Sequence, residues 1–262
     1  MQSPHPLLKI TRIHSHILHI SLNRPDAMNA LSADLLKELH LAFTEAKSDT
    51  SVRALLLTGE GKVFCAGADI KQLAPLTQAD GLAFAEEGQR VFNALEQLGK
   101  PSLAAIHGVA LGGGCELAMA ATLRIAADTA SLGQPEIKLG VIPGFGGTQR
   151  LARLVGRGRA LDLCLTGRML KAPDALLYGL VTEVVPAADL ENRAIQILES
   201  LSQLAPIALQ SIMTVIYEGC DLPLHDALKL EAKYFAQCCG TQDKQEGVSA
   251  FLEKRTAKFG GE

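Results

Sequence analysis

The chain has 262 residues, 48% of them hydrophobic and 20% charged, with a formal net charge of −3. That length and apolar share can build one sizeable core with at most a small appendage. A slightly acidic balance without any basic run argues against nucleic acid as the main partner. The six cysteines (Cys65, Cys115, Cys164, Cys220, Cys238, Cys239) are scattered without metal spacing, which argues for free thiols in a reducing compartment.

Met1–Lys9 carries two prolines and no apolar core, and reads as neither a signal peptide nor a transit peptide. Ile13–Leu22 alternates polar and apolar residues up to Asn23-Arg24-Pro25, which predicts a strand. On that strand His14 and His16 share one face and His19 the other, so the three do not read as a metal site. Ser32 is placed to cap a helix that lines up Leu35, Leu36, Leu39, Phe43 and Ala46 on one face. Val52–Leu57, bounded by Gly59 and Gly61, predicts a buried strand. Ala79–Leu98 predicts an amphipathic helix bearing Leu82, Phe92, Leu95 and Leu98.

The stretch 102–127 is apolar enough to resemble a membrane span, but His107, three successive glycines, Glu116 and Arg124 interrupt it. It reads as a strand over Pro101–Val109, a turn and helix over Gly112–Ala121, and a strand over Leu123–Ala127. Beyond Gly156 the pattern turns helical, with Arg159–Leu165, Ala172–Tyr178 and Leu190–Leu204. Pro206 and Pro223 sit where first-turn prolines belong, opening Pro206–Tyr217 and Pro223–Gln237, and Thr241 is placed to cap Gln242–Lys258.

Two glutamates, Glu116 after Gly112-Gly-Gly-Cys and Glu136 after Gly133-Gln-Pro, each follow a glycine-marked turn in an apolar stretch. A carboxylate is costly in such a setting unless it has partners or a task. Paired carboxylates beside backbone donors suit general acid/base work on a substrate whose charge develops on a carbonyl oxygen. Position alone leaves two ordinary surface glutamates equally open. Gly144-Phe-Gly-Gly147 lacks the spacing of a dinucleotide loop, and neither a Gly-x-Ser-x-Gly elbow nor a phosphate loop occurs, which argues against dehydrogenase, hydrolase and kinase chemistry.

Ile106–Ala118 and Gly133–Leu151 resemble the two glutamate-bearing motifs of the enoyl-CoA hydratase/isomerase (crotonase) superfamily. Leu22–Leu31, Phe64–Lys71 and Leu165-Thr-Gly167 with Gly179-Leu-Val181 fit in the same order, so the resemblance covers nearly the whole chain and lies nearest the short-chain hydratases. It implies an α/β fold, a superhelical core of ββα units over residues 1–200, with a C-terminal helical oligomerisation region over 201–262. It implies hydration of a trans-2-enoyl-CoA, with the backbone N–H groups of Ala68 and Gly113 on the thioester oxygen, Glu116 as base and Glu136 as acid.

Ala66-Gly67-Ala68 is a small-residue loop that lets backbone approach a ligand, and Gly113 sits at a helix N-terminus where N–H groups are unpaired. By resemblance, coenzyme A lies along Ala66, Ala68, Asp69, Ile70 and Lys71, with Arg24 and Lys71 near the phosphates. Phe235 and Lys254 match further coenzyme A contacts by position, against the plainer readings of a core phenylalanine and a solvated lysine. The implied partner is an acyl-CoA, with no cofactor beyond the coenzyme A of the substrate and no membrane span. The implied assembly is a homotrimer or a dimer of trimers, in a bacterial cytoplasm or, after loss of a transit peptide, a mitochondrial matrix. Leu132 stands where many hydratases carry an aromatic residue. A branched-chain hydratase, such as a methylglutaconyl-CoA hydratase, would carry the same two glutamates, whereas the Δ3-Δ2 isomerases generally keep one. RNA-binding relatives use a lysine-rich helix, but the predicted helix here has Arg90 as its single basic residue beside Glu86, Glu87 and Glu96.

Overall fold

A computed structural model describes residues 5–262. Strands β1 (Leu8–Ile13), β2 (Ile17–Leu22), β3 (Ala54–Gly59), β4 (Ser102–Ile106), β6 (Leu123–Ala127) and β9 (Glu183–Val185) form one sheet in that spatial order. β1 pairs antiparallel with β2, and every later neighbour in this sheet is parallel. A smaller sheet joins β5 (Val109–Leu111), β7 (Ser131–Gly133) and β8 (Met169–Lys171). Leu55, Leu56 and Leu57 of β3 are all fully buried, as an unbroken apolar run on a covered parallel sheet should be. The mixed α/β fold class is the expected one.

Helix α1 (Ala33–Ser48) begins where Ser32 Oγ accepts the Leu35 N–H at 3.2 Å. It buries the predicted face of Leu35, Leu36, Leu39, Phe43 and Ala46, each large side chain contributing about 1.5–3 kcal/mol by leaving water. A short helix α2 (Ile70–Leu73) and the long α3 (Gln78–Glu96) follow, the latter started by a reciprocal capping box between Thr77 and Asp80. Then come α4 (Gly113–Ala120), α5 (Gly147–Val155), α6 (Arg157–Thr166), α7 (Ala172–Tyr178) and α8 (Leu190–Ser202), which packs over β3, β4 and β6. The chain ends in α9 (Pro206–Gly219), α10 (Leu224–Cys239) and α11 (Gln242–Glu253).

Three expectations are corrected. The strand predicted over Ile13–Leu22 is the end of a hairpin, because His14 and Ser15 take left-handed φ of 48° and 64° and turn the chain between β1 and β2. His14 therefore lies in a turn, and no group of His, Cys, Asp or Glu among the described residues could hold a metal ion. The strand predicted over Pro101–Val109 breaks at Gly108, where φ is 66° and an added methyl would lie 2.3 Å from the Lys62 carbonyl oxygen, so β4 and β5 enter different sheets. The last helix stops at Glu253 rather than Lys258, because Lys254 is left-handed and the tail returns to donate the Gly260 and Gly261 N–H groups to Asp243.

Helices α9 and α10 pack chiefly on one another and bury almost nothing else: Ser211 is the buried residue of α9, and α10 has none. Ile212, Ile216, Leu228, Phe235 and Phe251 all remain exposed. Among the described residues no single helix is long and apolar enough to cross a membrane.

Candidate active site

The loop that follows β3 is drawn along β5, just before α4, by backbone bonds. The Cys65 N–H donates to the Val109 carbonyl at 3.1 Å and the Leu111 N–H returns to the Cys65 carbonyl at 3.0 Å. Gly67, at φ 105°, makes the close pass possible, since a methyl there would lie 2.8 Å from the Leu111 carbonyl oxygen. On its other side the loop bridges Leu31: the Leu31 N–H donates to the Gly67 carbonyl and the Asp69 N–H to the Leu31 carbonyl. The Ala68 N–H, between these two bonds, donates to no backbone carbonyl among the described residues. The Gly113 N–H heads α4, where first-turn N–H groups have no intrahelical acceptor. A methyl built on Gly113 would sit 3.4 Å from the Ala68 nitrogen, so the two backbone segments lie side by side.

The parallel pairing of β5 with β7 carries the second carboxylate to the same place. Gly112 donates its N–H to the Gly133 carbonyl at 2.9 Å. Glu136, three residues further on, opens a 3-10 turn and lies so close that a methyl at Gly112 would meet its Oε1 at 2.8 Å. Gln134 is buried, and its amide, oriented by its surroundings, donates from the nitrogen to Glu136 Oε1 and Oε2 at 2.9 and 3.2 Å.

Glu116, one turn into α4, is only 2% exposed. Its Oε1 accepts the Phe145 N–H at 2.8 Å and the Gly147 N–H at 2.6 Å. No protein donor among the described residues reaches Oε2. Phe145 is itself fixed by α3, with its ring centroid 5.0 Å from that of Phe84 and 5.5 Å from that of Phe92. Gly88 of α3 leaves the ring its space, because a methyl there would lie 2.1 Å from it.

Burial first, then the charge of Glu136, pushes the Glu116 carboxyl up to about 8. Burial pushes Glu136 up to about 7. The pair therefore holds about one proton near neutrality. The two N–H bonds on Glu116 Oε1 oppose burial without outweighing it, so at rest Glu116 holds its proton more tightly than Glu136 does. Such a pair, open on one side and next to two unspent N–H donors, can move a proton and steady a negative oxygen together.

The remaining expected site residues fall into two places. Ala66, Asp69, Ile70 and Lys71 line the loop and α2, with Ile70 60% exposed. Arg24 stands beside them, but its guanidinium is engaged by the Asp69 carboxylate at 3.1 Å and by the Ala30 carbonyl. Phe235 is 71% exposed on α10, so it is not the core phenylalanine of the plainer reading. Lys254 lies in the left-handed cap of α11. Within the chain no contact among the described residues ties either to the carboxylates. Sequence reasoning missed Gln134 and the N–H groups of Phe145 and Gly147. The signal for the latter was Gly144–Gly147, read as a failed dinucleotide loop and as part of the Gly133–Leu151 motif, with no role given to its N–H groups.

The family model for enoyl-CoA hydratase/isomerase matches residues 12–262. A short-chain-enoyl-CoA hydratase of Clostridium acetobutylicum is 44% identical over 237 residues, 90% of this chain and 91% of that protein. A crotonyl-CoA hydratase of Syntrophomonas wolfei is 44% identical over 91% of this chain and 92% of its own length. The crystal structure of an enoyl-CoA hydratase from Bacillus anthracis superposes with a TM-score of 0.94 at 42% identity, covering 98% of this chain and all of that one. The chain belongs to the enoyl-CoA hydratase/isomerase family.

Proposed function

We propose that this chain adds water across the double bond of a short trans-2-enoyl-CoA, giving the 3-hydroxyacyl-CoA. The observation that carries the reading is the meeting of two carboxyl groups of raised affinity for protons with the unspent N–H groups of Ala68 and Gly113. The thioester oxygen accepts those two N–H groups, which draws electrons from the double bond and stabilises the enolate-like charge that builds there. The reacting form is the less populated one, with Glu116 ionised and the proton on Glu136. Glu116 Oε2 takes a proton from a water held between the carboxyls, the oxygen bonds to C3, and the proton of Glu136 is delivered to C2 on the same face. One O–H bond of water and the C2–C3 π bond are lost, one C–O and one C–H bond form, and the proton taken up by Glu116 passes back to Glu136 before the next turnover. No cofactor is required beyond the coenzyme A that the substrate carries. Retention of both glutamates favours hydration over double-bond migration.

The coenzyme A moiety runs along Ala66–Lys71, where the exposed Ile70 offers an apolar edge to a planar base and Lys71 a cation to the phosphates. Phe235 and Lys254 belong to this site only through assembly, and the uncovered apolar residues of α9–α11 support a trimer-based oligomer. The net charge of −3, and Arg90 as the single basic residue in α3, weigh against RNA as a partner. Steady-state hydration of crotonyl-CoA against longer and branched enoyl-CoAs tests the reading. Absence of hydration with all of them refutes it, and a preference for a branched substrate would move it to the branched-chain hydratases.

A further inference from the structure

Arg150, in the first turns of α5, stands behind the carboxylate pair. Its Nε and Nη2 grip both oxygens of Glu96 on α3, at 3.1 and 2.8 Å, and Nη2 also donates to Asn93 Oδ1 at 2.6 Å. Its Nη1 donates to the Phe145 carbonyl at 3.2 Å. Phe145 is the residue whose N–H holds Glu116 Oε1. The side chains of Arg150 and Glu96 are 12% and 27% exposed, so this fork is largely shielded from water. Gly146, at φ 105°, lets the guanidinium in, because a methyl there would lie 2.4 Å from Nη1. A flat guanidinium can make the two-pronged bond to Glu96 and still reach a carbonyl, which a lysine ammonium cannot.

We propose that Arg150 is a positioning residue for the hydration: it clamps the 144–147 loop to α3, so that the Phe145 and Gly147 N–H groups keep Glu116 aimed at the water. The inference rests on the hydratase reading above. The arginine does not touch substrate; it acts through the peptide of Phe145. Its charge supplies a second effect. Glu116 is influenced by Glu136 and by Arg150, with the thiols of Cys115 and Cys164 nearby, and Arg150 is the cation that favours its ionised form. Arg150 also acts electrostatically on Tyr217, together with Glu96 and Arg124.

The test compares Arg150→Lys, Arg150→Gln and Glu96→Gln with wild type in crotonyl-CoA hydration across pH. A misaimed catalytic group costs on the order of 10–100-fold. We expect that loss in kcat for all three variants, with KM close to wild type. The acid limb of the profile should move upward in Arg150→Gln, where the cation is gone, and stay in place in Arg150→Lys, where it is kept. Folded variants with wild-type kcat would overturn the proposal, as would rates that fall only with the folded fraction while the acid limb of Arg150→Gln stays still. If Arg150→Gln does not fold, kcat of the other two variants decides. Titration of the Glu116 carboxyl by carbon-13 resonance reads the same coupling without turnover. A wild-type protein inactive on every enoyl-CoA would therefore refute the substrate alone, and an unmoved Glu116 titration in Arg150→Gln would refute the charge coupling.

Discussion

Replacing Glu116 by glutamine should stabilise the protein in alkali and leave it nearly unchanged in acid. The carboxyl titrates at its ordinary 4.5 in the unfolded chain and at about 8 in the fold, through burial and then the charge of Glu136. Between those values the folded state binds the extra proton, so wild-type stability falls as pH rises through the window and levels off above it. Glutamine is neutral throughout, keeps the size of glutamate, and its carbonyl can still accept the Phe145 and Gly147 N–H groups. Moving a carboxyl from 4.5 to about 8 sets a ceiling of about 5 kcal/mol on the gain. Water in the open side of the site lowers that figure, and we expect about 2–4 kcal/mol. In a chain of 262 residues, each kcal/mol shifts the melting temperature by about 2–4 °C. Scanning calorimetry of the two proteins at equal concentration should thus show melting temperatures that nearly coincide near pH 5 and separate by about 5–15 °C near pH 9. A separation independent of pH, or one that grows towards acid, would refute the burial argument.

In catalysis, Glu116→Gln and Glu136→Gln should each lower kcat by roughly 10²–10⁴-fold, and because the proposed mechanism puts both on one water the double variant should lose far less than the product of the two; near wild-type hydration by either single variant sinks the two-glutamate mechanism. Gly113→Pro removes one of the two N–H donors proposed for the thioester oxygen and should cost about 10²–10³-fold in kcat, so normal turnover by the folded variant would make Gly113 a turn residue only. Sedimentation should show a trimer-based oligomer, and removal of α9–α11 should cause dissociation or aggregation; a monomer at micromolar concentration would count against the proposed assembly.

Much of the sheet and core was legible because burial leaves a periodic mark. The apolar face of α1 and the run Leu55–Leu57 could be placed from spacing alone, and both are buried. The hairpin at His14–Ser15 could not, since the left-handed turn there uses no glycine, asparagine or aspartate and the alternation runs on through it. Strands of three residues such as β8 and β9 carry too short a period to register, and their pairing is set by partners distant in the chain. Helix α5 was hidden because its first residue is the last glycine of a segment that reads as a loop. The two glutamates were visible as carboxylates in apolar surroundings. What grips Glu116 was not, because its donors are peptide N–H groups 29 and 31 residues away.

That asymmetry has a common cause in how the carboxylates are placed. The glycines around them serve two different needs. Gly112 has φ 49° and would also crowd Glu136 with a methyl, so it answers to both conformation and space. Gly113 and Gly147 do not take positive φ, yet added methyls would lie 2.9 Å from Leu31 Cδ1 and 2.7 Å from Glu116 Oε1. At Gly113 the Leu31 and Phe145 side chains take the room, and at Gly147 the Glu116 carboxylate and Pro143 take it. In sequence both kinds of glycine look alike, and a run of them reads first as a tight turn. Only the packing separates a glycine that bends the chain from one that lets a peptide reach a reacting group. At Gly147 the room goes to a carboxylate gripped by peptide N–H groups, which is why so much of what holds Glu116 is backbone.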